Sequence, residues 1–156
     1  MTAELAALFA RDLTRLGQEI KAFPNDGALW ETLPGVTNPA GNLVLHLDGN
    51  LREYIGRQLG GVPYMRQRDL EFSRKQVPAA ELVSRVAELR EIIPPIVAAL
   101  TPEQLATPNT QELRKNGLTV RQFVFSLYGH FNYHLGQIGY LRRALTQGAA
   151  VKFVYL

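Results

Sequence analysis

The chain has 156 residues, 46% of them hydrophobic and 20% charged, which fits one soluble globular domain spanning residues 1–156 and excludes a disordered or fibrous chain. Its formal charge of +3 is too small and too scattered to predict a nucleic-acid partner. It has no cysteine, so disulfides, thiolate metal ligands, iron–sulfur clusters and a cysteine nucleophile are excluded.

Residues 3 to 23 place Leu5, Leu8, Phe9, Leu13, Leu16, Ile20 and Phe23 at steps of three and four, which predicts a first amphipathic helix. Thr2 is the expected N-cap and Pro24 the expected stop. Charged residues interrupt the apolar positions of this N-terminus, unlike a signal peptide, and no run is long enough to cross a membrane. A cytoplasmic protein without a membrane partner is expected.

Trp30 and Leu33 are expected to pack back onto the core. Asn38 reads as an N-cap with Pro39 at the first helical position, opening a second helix over about 39–58. Its inward face would carry Leu43, His46, Leu47, Asn50, Leu51, Tyr54 and Ile55. Residues 60–78 break the periodicity and form a long, charged crossover. Arg66 to Glu71 read as a solvated, ion-rich surface, with a rim over a site as the sharper reading.

A third helix is predicted over 79–100, with Leu82, Val86, Leu89, Ile93, Ile96 and Leu100 inward and a kink or broken end at Pro94–Pro95. "TPEQL" can begin a short helical turn, and "ATPNTQELRKNGL" reads as loop. The last and longest helix, about 119–147, opens on a Thr119/Gln122 capping box. Gly129, Gly136 and Gly139 lower its propensity, which predicts close approach by another helix or room beside a site. The apolar tail "VKFVYL" is expected to dock on the body or on a partner.

Four long amphipathic segments make an all-α four-helix bundle the expected fold. The long crossover permits an up-down-down-up order.

The chemistry-bearing residues are the chain's three histidines. His130 and His134 stand at i and i+4 on the apolar stripe of the last helix, and so project from one face. His46 falls on the inward stripe of the second helix, and facing helices of a bundle can bring such groups to one ion. Spacing alone is a weak signal, because an HxxxH is more often ordinary helix surface. A three-nitrogen, neutral ligand set with an open fourth position would suit catalytic zinc. Imidazole also suits nickel, iron, cobalt and copper. The segment reads "HFNYH", without the glutamate of HExxH, so a zincin mechanism is excluded. Asn50, four residues after His46, and Gln137, three after His134, are candidates to orient a ligand or a coordinated water from behind. No residue is singled out as catalytic.

The stretches "NPAGNLVLHLDGNLREYIG" and "GHFNYHLGQIGYLRR" resemble the DinB-like (DinB/YfiT) family, and "RQRDLEF" resembles the connection in one of its branches. The resemblance covers about Leu29 to Arg143 and implies an up-down-down-up four-helix bundle. It implies His46, His130 and His134 as ligands of a divalent metal, nickel or zinc first, with iron, manganese or cobalt as further options. It also implies a homodimer, and for some members a thiol S-transferase activity with bacillithiol or mycothiol. The expectation is a divalent-metal protein acting as a metal-dependent thiol S-transferase on small molecules. The alternative is a non-catalytic, ligand-binding or structural homodimer with an inert or adventitious metal.

Overall fold

The computed structural model describes residues 1–108 and 117–152. Among these there are six helices and no strand: α1 (Thr2–Lys21), α2 (Ala40–Leu51), α3 (Arg68–Ser73), α4 (Ala79–Ala99), α5 (Pro102–Ala106) and α6 (Val120–Thr146). A 3₁₀ turn (Gly27–Trp30) precedes α2, and a π turn (Arg52–Arg57) follows it.

The apolar spacing of α1 produces its packing directly. Leu5, Phe9, Leu13, Leu16 and Ile20 are all buried, and α1 lies chiefly along α4. Each fully buried Leu, Ile or Phe on this stripe contributes about 1.5–3 kcal/mol of transfer free energy. The facing stripe of α4 is Leu82, Val86, Leu89, Ile93 and Val97. Val97 takes the core position expected of Ile96, which is half-buried. Trp30 and Leu33 pack against the core as expected. The Trp30 ring covers Gly41 so closely that a Cβ there would lie 2.6 Å from the ring.

Several helix ends differ from the sequence reading. α1 begins at Thr2 with Met1 as its N-cap residue, and α2 begins at Ala40 with Pro39 in that role; neither has a side-chain cap. At the α2 start the burial of Ala40, Gly41 and Asn42 stands in for a cap, while at the exposed α1 start the Met1 ammonium pairs with Glu4. The second helix is α-helical only to Leu51 and then widens, with Gln58 N–H donating to Glu53 O at 3.1 Å and Gly60 N–H to Ile55 O at 2.9 Å. Such widened turns shift the register of the side chains that follow. Pro94 and Pro95 do not break α4, which continues to Ala99. Both prolines deprive carbonyls one turn back, at Arg90 and Glu91, and these residues are exposed, so water can replace the lost donors.

The capping box of Thr119 and Gln122 is present at the start of α6, and a second one, Thr101 with Gln104, starts α5. Most of the expected loop between α5 and α6 and the end of the apolar tail lie outside the described residues. Of the three helical glycines in α6, only Gly139 meets a neighbour closely, with Glu19 Oε1 3.2 Å from where a Cβ would be. Gly129 and Gly136 face open space, so close packing does not account for them.

All twelve residues of α2 are buried, with α3, α4 and α6 packed around it. This central position brings His46 against α6.

Candidate metal centre

His46 is 7% exposed and points from α2 toward α6, where His130 and His134 are half-buried one turn apart. The Nε2 atoms of His46 and His130 are 3.2 Å apart, and those of His134 and His130 are 3.1 Å apart. The ligand atoms of all three lie within 4.8 Å of one another. Nitrogens held at 2.0–2.1 Å around one tetrahedral ion would be roughly 3.3–3.4 Å apart, so the observed separations fit a shared cation.

The far sides of two rings fix where their protons sit. His46 Nδ1 lies 2.9 Å from Glu71 Oε2, and a carboxylate only accepts, so Nδ1 carries the proton. His134 Nδ1 lies 2.7 Å from Gln137 Oε1 and donates to it. Both Nε2 atoms therefore present lone pairs to His130 Nε2. One neutral imidazole has one proton to offer them, and the other His130 nitrogen, Nδ1, is buried without a hydrogen-bond partner. A further proton does not resolve the conflict. Burial, reinforced by the neighbouring histidines and Arg66, pushes His130 down to about 4, and burial lowers His134 as well. Among the neutral rings, lone pairs outnumber protons between the three Nε2 atoms, and a cation satisfies them.

The crossover supplies support that the sequence reading largely missed. Glu71, read as part of a solvated run, is 6% exposed. Its carboxylate takes Arg66 Nε at 2.7 Å on Oε1 and an Arg66 terminal nitrogen at 2.9 Å on Oε2, besides His46. Burial works to raise the Glu71 carboxyl, but the hydrogen bonds from His46 and Arg66 and the Arg66 charge outweigh it and hold it below its usual range. Phe72 of α3 packs on the His46 ring at 5.0 Å between centroids. Asn42, fully buried on α2, donates to the backbone oxygens of Glu71 at 2.8 Å and Arg74 at 2.9 Å and accepts from Lys75. The charged run thus folds as a strap latched to α2, and Arg68 and Asp69 alone of its charges keep the expected exposure. The available signal was Asn42, a polar residue one turn before His46 on a helix otherwise rich in apolar residues.

Of the two predicted orienting residues, Gln137 is the hydrogen-bond partner of His134. Asn50 shares buried α2 with His46, and its Oδ1 is buried with no hydrogen-bond partner. Tyr128 lies elsewhere, donating to Asp12 Oδ2 at 2.7 Å and packing edge-on against Phe9.

A helical bundle with three convergent histidines defines a class of candidate metal proteins, and the comparisons with known proteins agree with that fold. The chain matches, over residues 6–153, the family described as "Protein of unknown function (DUF1572)", a DinB-like family, and it belongs to that family. It is also similar to the crystal structure of a DinB-like protein from Bacillus cereus ATCC 10987, with 18% identity and a TM-score of 0.68. That likeness covers 93% of this chain and 91% of the other, and it concerns the fold alone. No curated protein matches.

Proposed function

We propose that this chain is a divalent-metal protein whose His46–His130–His134 centre serves a thiol S-transferase reaction on small molecules. The observation that carries the reading is the convergence of three Nε2 atoms with at most one proton among them. A divalent ion held there would supply a Lewis acid that lowers the pKa of a coordinated thiol or water. Nickel and zinc are the first expectations, since both suit a neutral all-imidazole set.

The chain's own residues would do the rest. Glu71, fixed by Arg66, and Gln137 hold His46 and His134 with their Nε2 lone pairs inward. In the transfer the thiol proton passes to solvent, an S–C bond forms at an electrophilic carbon, and the leaving group departs with its bonding pair. Elemental analysis of protein purified without a polyhistidine tag tests the metal. About one ion per chain is expected; none bound, with no uptake of nickel, zinc or manganese, overturns the reading.

A second reading, a binding protein with an inert metal, is favoured by one observation. The cavity beside His134 is lined by no carboxylate, lysine or arginine that could relay a proton. Turnover of a small thiol with an electrophilic dye, lost in the histidine variants, would reject it.

A further inference from the structure

A cavity of about 570 Å³ opens beside the histidine centre. One wall is α6, with Tyr133, His134, Gln137 and Leu141; the other is Val36 of the segment entering α2 and Leu43 of α2 itself. Its volume lies within the range of small-molecule sites. Residues of the rim are apolar yet solvent-exposed: Val36 is 40%, Tyr133 63% and Tyr140 73% exposed. Large exposed apolar side chains gathered at one concavity mark a place where a ligand would be buried.

The lining contains no Asp, Glu, Lys or Arg. Arg143 stacks on the Tyr140 ring at 4.3 Å and donates to Gly139 O at 3.2 Å, but it is not part of the lining. Away from the histidine end, a carboxylate, phosphate or ammonium entering here would lose water without gaining a counter-charge from the lining side chains, which is strongly unfavourable. Of the polar side chains in the lining, His134 and Gln137 belong to the metal centre, while Thr37 and Asn38 lie on the segment entering α2.

We infer that this cavity binds an uncharged, largely apolar or aromatic small molecule, with its one polar end directed at His134 and Gln137. The inference rests on the three-histidine reading only for what that polar end would meet. It narrows the electrophile of the proposed transfer to a neutral, apolar compound.

The test uses the whole chain and two fluorescent probes that differ by one charge: neutral N-phenyl-1-naphthylamine and its 8-sulfonate. The neutral probe should bind saturably at one per chain, and the sulfonate at least tenfold more weakly. Ala144→Trp, which fills the cavity from an exposed position, and Val36→Glu, which puts a charge in its wall, should each weaken the neutral probe at least tenfold without altering metal content or melting temperature. Equal binding of the two probes, no saturable binding, or binding untouched by both variants overturns the inference. So does probe binding that disappears as the protein self-associates, because the face is then a contact between copies. Metal-loaded protein that ignores the neutral probe sinks this inference alone; metal-free protein that takes up no ion but binds the probe sinks the metal reading alone.

Discussion

Gly49 and Glu71 occupy the same space in a way that only a glycine permits. A Cβ on Gly49 would overlap the Glu71 carboxylate and lie 2.8 Å from its carboxyl carbon. Gly49 is in the last turn of α2, which the π turn continues, so it is interior to the helical run, where glycine costs roughly 0.5–1 kcal/mol relative to alanine. The missing side chain lets α3 bring its carboxylate onto His46. Gly49→Ala should displace Glu71, reduce metal affinity by about 10–100-fold, and destabilise the fold by about 1–3 kcal/mol through overpacking. Metal titration and urea unfolding would show both; unchanged metal affinity would mean that Glu71 does not tune the centre.

Glu71→Gln separates charge from shape. The amide oxygen can still accept from His46, but Arg66 loses its ionic partner. Metal affinity should fall about tenfold, with about 1–3 kcal/mol lost from the metal-free fold, because Arg66, 13% exposed, is left beside a neutral amide. Isothermal titration with nickel or zinc reads the first effect and thermal melting the second.

His130→Ala should remove bound metal almost entirely, to under about one-tenth of the wild-type content, because the middle nitrogen of the set is lost. The metal-free protein should barely suffer, by less than about 1 kcal/mol, since His130 contributes an unpartnered Nδ1 and a crowded Nε2. A large loss of metal-free stability would contradict the view that this cluster is held in an unsatisfied arrangement.

Proton linkage gives a signed pH dependence. His130 is lowered from 6.5 to about 4 on folding, so near neutral pH neither state is extensively protonated there and the stability is fully present. As pH falls from about 6.5 through about 4 the unfolded chain takes the proton first, and stability is lost. A shift of that size is worth about 3 kcal/mol at full strength, and roughly half that after screening at a partly open site. Urea unfolding of metal-free protein between pH 7 and 4 should show this slope, and His130→Ala should flatten it.

Glu19 and Arg142 form a nearly buried pair, 3% and 2% exposed, with Arg142 Nε donating to Glu19 Oε2 at 2.6 Å. Arg142 also donates to Ala149 O at 2.9 Å, tying the chain after α6 to the bundle. Glu19→Ala leaves a buried guanidinium uncompensated and should cost about 3–5 kcal/mol. Replacing both residues by methionine should cost much less. Equal losses for the single and double variants would deny the pair its coupling.

The sequence by itself determined the all-α class, the four long helices and the candidate histidines. Each depends on a period of three to four residues, which is local: the α1 stripe, the capping box of Thr119 and Gln122, and His130 with His134 on one face all follow from helix geometry. Only the tertiary structure decided that His46 Nε2 comes within 3.2 Å of His130, because that distance depends on how α2 is seated against α6. It also turned Glu71 from an expected surface charge into the partner of His46. In sequence, Arg66–Glu71 is a short aperiodic run, and the burial of Glu71 depends on Asn42 and Gly49, more than twenty residues before it, which offer a side-chain hydrogen bond to its backbone and an empty Cβ position. Helical periodicity specifies which face a residue occupies. Which groups meet across helices is set by long-range packing, and no spacing within one segment records it.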